Sequence, residues 1–416
     1  MTKNINSSMK ITVGLGSIDD YPDFVRAGAD EVFCGYIPDV WMKQEGTDQP
    51  MNRREVRYVN VQAGSWSEME ILADMRNALG VPVTVTMNSP CYDPDGYPVI
   101  METMVRCADI GFDSFIVADP GLIGYLNRNL SPFDRTRIHL HLSGETGEIN
   151  RYVIADARKA GISRIIFQRK CSLSDMEVMI RNRPEKSICD TGRISNLPGI
   201  SGKNEADSKN TTMEFEAFLL NEMCEFSGCY CNTLHCDEFA PACRIPYRME
   251  NGNIGRKEHL TVEDGFEGTV KGMRNPKEMW NPEGMRNPEE KRNPEEMRNP
   301  EEKRNPEEMW NPEEKRNPEE IQNSEELQDP EDNVIGAGGC GLCALWELRD
   351  IGVNVLKIVS RGNYTENTIR DIRAVKRALE ILKDASNEPE YIRRMKRELF
   401  PTGCGGSCYY RQSKKE

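Results

Sequence analysis

Residues 65–88 read SWSEMEILADMRNALGVPVTVTMN, and they contain the unit that decides the fold. Residues 65–80 begin with hydroxyl side chains, carry apolar residues at helical spacing and end in glycine, so they predict a helix. Residues 81–88 are rich in Val and Thr and predict a buried strand. A helix that leads directly into a strand is the repeating unit of parallel α/β folds.

The same alternation continues along the chain. Further helices are predicted to end at Ala27 and to lie near 98–110 and 149–160. About eight strands with crossover helices predict an α/β fold built on a parallel (β/α) TIM-like barrel, complete or incomplete, with a doubly wound open sheet as the alternative. The predicted strands are 10–16, 31–35, 81–88, 112–119, 137–143, 163–169, 213–220 and 353–359.

A hexapeptide repeat built on Asn-Pro-Glu-Glu fills residues 273–332 in ten units. Proline at nearly every sixth position blocks both helix and sheet, and few aliphatic residues are available for burial. We therefore predict a disordered acidic insertion, with a protein partner held through Trp280 and Trp310 as the alternative. A second disordered segment is predicted at 185–211.

Four regions follow from this organisation. Residues 9–250 form the main part of the barrel with a Cys-rich segment, 251–335 the repeat insertion, 336–400 the final strand and helices, and 401–416 a Cys-containing tail.

The charge is -14 over 416 residues, which argues against broad nucleic-acid binding. The repeat carries ten basic and nineteen acidic residues, so the remaining chain is only -5 and a local RNA groove stays open. No apolar run is long enough for a signal peptide or a membrane span, and we predict a cytoplasmic protein with no membrane contact.

Polar residues stand where several predicted strands end. In RIHLHLS (137–143), His139, His141 and Ser143 share the face opposite Leu140 and Leu142. The carboxyl ends of barrel strands form the mouth where catalytic groups gather, although each polar residue alone also fits a structural network. The candidate catalytic residues are Asn88, Asp119, Ser143, Arg169, Glu216 and Lys357.

Nine of the fourteen cysteines follow residue 220. In a reducing cytosol, such clusters more often bind metal than form disulfides, and thiolates favour zinc or an iron-sulfur centre. Spacing alone does not choose between these metals. The pairs CGLC (340–343) and CGGSC (404–408) also fit redox exchange.

The stretch EAFLLNEMCEFSGCYC (216–231) resembles the signature of peptidase family U32, the collagenase-like proteases, at Glu216, Phe218, Asn221, Cys224 and Cys231. Other matching stretches cover about 300 residues, outside the insertions and tail. They include VRAGADEVFCG (25–35), IVADPGLI (116–123), HLSGETGEIN (141–150), FQRKCSLSDME (167–177), PACRIPYR (241–248) and GLCALWELRDIGVNVLKIVSRG (341–362).

The resemblance implies an incomplete or modified barrel and a 4Fe-4S cluster on Cys224, Cys231, Cys243 and Cys343, with zinc as the alternative metal. Members of this family include collagenase-like peptidases and enzymes that hydroxylate RNA bases or quinone precursors without oxygen, with prephenate as oxygen donor. The sequence has no HExxH or GxSxG peptidase motif.

The chain departs from the family pattern and resembles a divergent member. Asn221 replaces a usual small residue, and Val359 replaces the acid of KIEGR, although Lys357 and Arg361 remain. Extra thiols predict an alternative ligand set or a second cluster. These extra thiols are Cys229, Cys236, Cys340, Cys404 and Cys408.

Three functions are therefore weighed. The first is an oxygen-independent hydroxylase or related transferase acting on RNA or a small molecule at the barrel mouth. The second is a collagenase-like peptidase with a peptide substrate. The third is a noncatalytic metal-binding accessory protein that is tethered to a partner by the repeat.

Overall fold

The computed structural model describes residues 9–44, 50–53, 61–147, 149–181, 213–221, 224, 335–336 and 338–410. Within these residues, eight parallel strands form a closed barrel in sequence order, and the last strand pairs with the first. The strands are β1 (Lys10–Gly14), β2 (Glu31–Gly35), β3 (Val83–Met87), β4 (Ser114–Val117), β5 (His139–Leu142), β6 (Ile162–Ile166), β7 (Glu214–Leu220) and β8 (Val355–Ile358).

The closed ring confirms the predicted TIM-like barrel, and the alternative of an open doubly wound sheet is wrong. The barrel is also complete, because its eight strands close into a ring. Each of the eight predicted runs overlaps one of these strands. Most predicted runs extend past the observed strands because the flanking residues serve turns and helix caps. Asp119 is one example, since its side chain accepts a hydrogen bond from the Gly121 amide at the start of a helix.

The predicted helix at 65–80 is present with the expected capping. The Ser65 side chain accepts a hydrogen bond from the Glu68 amide, and Gly80 ends the helix with a φ of 77°. The described helices of at least six residues are α1 (Tyr21–Ala27), α2 (Asp39–Gln44), α3 (Trp66–Leu79), α4 (Tyr97–Asp109), α5 (Pro120–Asn129), α6 (Pro132–Arg137), α7 (Arg151–Lys159), α8 (Leu173–Arg181), α9 (Leu345–Ile351), α10 (Thr365–Asp384) and α11 (Glu388–Leu399).

Alternate strand residues face two separate apolar clusters. Val85 and Leu140 belong to a core that also contains helix residues such as Leu72 and Met104. A second, smaller cluster lies inside the barrel and lines a cavity, and we call it the inner apolar ring. Its members are Phe33, Ile116, Ile166, Phe218 and Val359.

Charged side chains fill the barrel interior toward the amino ends of the strands. The guanidinium of Arg164 donates to Glu31 at 2.6 Å, to Glu214 at 2.6 Å and to Glu216 at 3.0 Å. Lys10 donates to Glu31 at 3.1 Å and to Glu214 at 2.8 Å. We call these five residues the basal ion network. Glu214 and Glu216 therefore both point inward, as expected for residues two apart on one strand.

Several predicted features fall outside the described residues. They are the hexapeptide repeat at 273–332, the segment at 185–211 and the proposed boundary at residue 251. In the part of the chain that the structure describes, no helix combines the length and the apolar character needed to cross a membrane.

Candidate functional site

A cavity of about 520 Å³, counted with the open solvent that it contains, lies at the carboxyl ends of the barrel strands. The inner apolar ring lines this cavity, together with four cationic side chains and one acidic side chain. We call the four cations the cationic mouth. They are Arg53, Arg169, Lys357 and Arg361, and the acidic side chain is Glu145.

Glu145 holds two of the cations in place. Its carboxylate forms ion pairs with Arg53, at 3.1 Å, and with Arg169, at 2.9 Å. The Arg169 guanidinium also lies 4.2 Å from the centre of the Phe218 ring, which favours a cation through its π face. Burial lowers the pKa of Arg169, but Glu145 and Tyr409 outweigh burial and raise it overall. Arg169 is therefore a fixed positive charge at the mouth.

Lys357 connects the mouth to the basal ion network. Its ammonium donates to Glu216 at 2.8 Å and lies 3.8 Å from the centre of the Phe33 ring. Burial lowers the pKa of Lys357 below its usual 10.5, although Glu216 acts in the opposite direction. The pKa of Glu216 is lowered from 4.5 because Lys357 and Arg164 outweigh the effect of burial. Glu216 is therefore ionised and enclosed, with both neighbours as donors.

Arg361 is the most deeply placed arginine of the mouth. Only 4% of its surface is exposed, and its guanidinium donates to Asn52 and Thr86, each at 3.4 Å. Burial lowers its pKa to about 10, which still leaves the side chain charged at neutral pH. A positive charge at this depth, beside the other cations of the mouth, attracts an anionic ligand, because charges interact more strongly in a low-dielectric interior than in water.

The structure brings together four of the six predicted site residues. Asn88, Ser143, Arg169 and Lys357 all line the cavity. Asn88 accepts a hydrogen bond from the Arg53 amide at 3.1 Å. The Ser143 hydroxyl accepts one from the Glu145 amide at 3.1 Å, so each residue also holds the loop that carries a neighbouring charge.

Asp119 and Glu216 have other positions. Asp119 does not line the cavity: its carboxylate accepts hydrogen bonds from the Gly121 amide at 2.7 Å and from the Tyr97 hydroxyl at 2.9 Å. Glu216 belongs to the basal ion network beneath Lys357. His141, another inward residue, is buried, and its pKa lies well below 6.5 because of burial and the cations Arg164 and Lys357.

Sequence reasoning missed three charged residues of the mouth. Arg361 has a signal, because it ends the KIVSR stretch together with Lys357. Glu145 stands two residues after Ser143 in HLSGETGE and follows the same strand. Arg53 has no comparable signal, since it precedes no predicted element, and its place at the mouth becomes apparent only from its contacts with Glu145 and Asn88.

Asn221 occupies the position where the family signature has a small residue. Its φ is 65°, and it is the one non-glycine residue with a positive φ in the described ranges. Asn tolerates this left-handed conformation better than most residues, which explains why it can stand there. Its side-chain amide donates to Asp371 at 2.7 Å. The turn that leads from β7 toward Cys224 is therefore fixed on one side by α10.

Cys224 lies near two residues of the mouth region. It is close enough to Arg169 and Tyr409 to raise the pKa of each. The other predicted cluster ligands, apart from Cys343, fall outside the described residues, as do two of the extra thiols. These undescribed cysteines are Cys231, Cys243, Cys229 and Cys236.

Cys343 lies with three of the predicted extra thiols. Cys340 and Cys408 are partners in a parallel β-bridge, which brings the two paired-thiol stretches side by side. Burial raises the pKa of Cys343, Lys396 opposes it, and Cys408 and Cys404 raise it further. The pKa of Cys340 is raised to about 12, also chiefly by burial. These pKa shifts favour protonated thiols in the absence of a metal.

The described cysteines show in part whether this region suits an iron-sulfur cluster. Cys224 lies four residues after the end of β7. Cys340 forms a β-bridge with Leu220 at that same end, and Cys343 follows Cys340 by three residues. Soft sulfur donors on segments that meet at one strand end fit a cluster site. Within the described ranges, no three His, Cys, Asp or Glu side chains are arranged to hold a metal ion.

The fold and the site define a parallel β/α-barrel protein with a cation-lined cavity at the carboxyl ends of its strands. The sequence model of peptidase family U32 matches residues 16–416. This chain therefore belongs to peptidase family U32, as its motifs predict. A search of curated proteins finds no match.

Solved structures share only distant likeness. The U32 peptidase Mk0906 is 15% identical, over 53% of this chain and 72% of that chain, with a TM-score of 0.33. A 2,3-dimethylmalate lyase of the PEP mutase/isocitrate lyase superfamily is 13% identical, over 53% of this chain and 69% of that chain, with a TM-score of 0.29. At these TM-scores the two structures support no functional argument.

Proposed function

We propose that this chain is an iron-sulfur enzyme that transfers an oxygen atom from an anionic organic donor, which is reduced in the step, to an RNA base or a small molecule without molecular oxygen, or performs a related group transfer, at the barrel mouth. The observation that carries the proposal is the cationic mouth, with Cys224 near Arg169. Four cations face one carboxylate around the cavity, so the cavity suits a substrate or co-substrate with a carboxylate or phosphate group.

Each part of the mouth has a role in this proposal. Arg169 and Arg361 bind the anionic group, because guanidinium groups match the geometry of carboxylate and phosphate oxygens. Lys357 approaches the same cavity from below and keeps its position through Glu216. The inner apolar ring lines the cavity beside these cations. Its low-polarity surface strengthens the attraction between the cations and an anion.

The proposed cofactor is a 4Fe-4S cluster with Cys224, Cys231, Cys243 and Cys343 as ligands. The family match and the position of Cys224 support this assignment. Such a cluster supplies one-electron chemistry, with a potential set by hydrogen bonds and exposure. The cations and Tyr409 beside Cys224 favour a negatively charged cluster at this edge of the cavity.

Metal analysis of protein purified without oxygen tests the cofactor. We expect about four irons and four sulfides per chain and broad absorption near roughly 400 nm, as for one cubane cluster. Cys224→Ser should remove most of the iron, whereas Cys91→Ser, at an exposed cysteine distant in sequence from the cluster motif, should keep it. One zinc per chain with no colour would overturn the iron-sulfur assignment.

Nucleoside analysis tests the reaction. RNA from cells that express the wild type should contain a nucleoside one oxygen atom heavier than in cells without the chain, or a small-molecule extract should contain such a product. Lys357→Met should abolish it, and Lys383→Met, at an exposed position on α10, should not. Gelatin cleavage by the same anaerobic protein, with no oxygenated product, would replace this proposal with the peptidase function.

A further inference from the structure

The C-terminal tail returns to the barrel mouth after α11. The Cys340 amide donates to the Ser407 carbonyl at 2.7 Å, and the Tyr409 amide donates to the Cys340 carbonyl at 2.9 Å. Cys340 also forms a bridge with Leu220 at the end of β7. The tail is therefore connected to β7 by backbone hydrogen bonds through a single intervening segment.

Tyr410 anchors this tail. Its hydroxyl donates to the Phe218 carbonyl at 2.6 Å, and 8% of the residue is exposed. Gly341 lies against the same ring, since a Cβ at this position would come within 3.0 Å of Tyr410 Cε2. A buried aromatic ring with its hydroxyl satisfied fixes the tail next to β7. The adjacent residue, Tyr409, is consequently directed toward the mouth.

Tyr409 contacts three parts of the mouth. Its ring stacks on Phe218 at 6.4 Å between centres, with an angle of 20° between the planes, and packs on the inner apolar ring. Its hydroxyl donates to the Asn221 carbonyl. A hydrogen bond with Arg169 acts on the same phenol and lowers its pKa, but burial dominates and raises that pKa to about 12. The phenol therefore stays protonated at neutral pH.

Phe218 is held between two of these groups. Arg169 lies 4.2 Å from its ring centre, while Tyr409 stacks against it. A phenol that donates to the Asn221 carbonyl while it contacts Arg169 links the guanidinium to the left-handed turn before Cys224.

We propose that Tyr409 is a positioning residue of the mouth: it fixes the direction of Arg169 and the Asn221 turn, and so sets the affinity for the anionic ligand. The inference rests on the proposed function, because it takes the mouth as the anion site. The tail is thus part of the binding site, although it lies far from the barrel motifs in sequence.

Calorimetric titration with malonate, a small dicarboxylate, tests the inference on the full chain, with neutral malonamide as the ligand control. Tyr409→Phe keeps the ring and removes the hydroxyl, and we expect malonate affinity to fall about tenfold, as for a lost hydrogen bond to a charged group. Tyr21→Phe is the matched control. It removes a hydrogen bond of the same kind, from the Tyr21 hydroxyl to the Val81 carbonyl before β3, so the unfolding temperature should fall while affinity stays within about twofold.

A double-mutant cycle separates positioning from a general structural effect. In an Arg169→Gln background, Tyr409→Phe should weaken malonate binding by less than about twofold more, because the two residues act as one unit. Additive losses would overturn the inference. Equal losses of affinity in Tyr409→Phe and Tyr21→Phe would also overturn it, since they would indicate only a general loss of stability.

The outcomes also separate this inference from the proposed function. If Arg169→Gln weakens malonate binding and Tyr409→Phe does not, the positioning role fails and the anion site stands. The anion site fails if the wild type binds malonate no more tightly than Arg169→Gln does, or no more tightly than it binds malonamide. The role of Tyr409 then fails with it.

Discussion

The basal ion network and the cationic mouth lie in the same barrel, yet their charges are balanced in opposite ways. In the network, two cations meet three carboxylates, and Arg164 contacts all three within 3.0 Å. At the mouth, four cations surround a cavity with one carboxylate among its lining residues. Lys357 belongs to the mouth but pairs with the network through Glu216.

The difference teaches which buried charges stabilise the fold and which can serve a ligand. A charged side chain whose hydrogen bonds are made to protein partners, such as Arg164, does not require a ligand to be stable in the interior. Charges of one sign around an open cavity create a positive potential that a bound anion relieves. Substitutions in the two regions should therefore affect different measurements.

The largest effect is expected at the centre of the network. Arg164→Met leaves three carboxylates around an apolar side chain, and the free energy of unfolding should fall by about 4 kcal/mol, as when one partner of a buried ion pair is removed. Chemical denaturation measures it, with Arg158→Met at an exposed position of α7 as control. A loss below about 1 kcal/mol would show that the network contributes little to folding.

Glu216→Gln should cost about 3 kcal/mol at neutral pH, because it removes the carboxylate that pairs with Lys357 and one of the three carboxylates around Arg164. The folded pKa of Glu216 lies below 4.5, so its stabilisation is complete above that pH and disappears as pH falls through the lowered folded value. Chemical denaturation at pH 7 and at about pH 3 should therefore show that the free energies of unfolding of the wild type and Glu216→Gln become more similar in acid. An equal difference at both pH values would contradict the ionised state of Glu216.

Arg361→Gln should separate the two regions. Malonate affinity should fall about tenfold, or about 1.4 kcal/mol, because a guanidinium that faces the cavity is lost. The free energy of unfolding should change by less than about 1 kcal/mol, since the basal ion network is untouched. Arg158→Gln is the matched control. A large loss of stability with unchanged affinity would place Arg361 among the structural charges.

The smallest effect concerns alkaline pH. Because burial lowers the pKa of Lys357 below 10.5, this cation should lose its proton as pH rises through that lowered value. As pH rises from 7 to 10.5, malonate affinity should fall about threefold more in the wild type than in Lys357→Met. The variant should keep only the decline expected from Arg361, whose pKa is about 10. The same decline in the variant would assign the pH dependence to another cation.

The sequence predicts the barrel well, because strand patterns are local. Each of the eight strands is predicted from the apolar pattern of its own residues, without information on distant residues. Strand parity also places Glu214, Glu216 and His141 inward, since side chains alternate along a strand. What parity cannot predict is which inward charges pair with one another. That depends on the register between neighbouring strands, such as the pairing of Arg164 with Glu214.

The site is predictable in part for the same reason. Asn88, Ser143 and Arg169 follow strands, and so they reach the mouth. Asp119 follows a strand too, but the Asp-Pro-Gly sequence also favours a helix cap, and the structure uses it for that. Tyr409 and Arg53 could not be predicted, because no local pattern brings either to the mouth.

The closure of the barrel between β7 and β8 has a consequence for the length of the chain between them. The two strands pair directly although residues 221–354 separate them in sequence. If the repeat is disordered, as its sequence predicts, the entropy of closing the connection grows only with the logarithm of its length, and one more hexapeptide adds about 0.04 kcal/mol. Gain or loss of repeat units is therefore almost neutral for barrel stability, and selection on folding cannot fix their number.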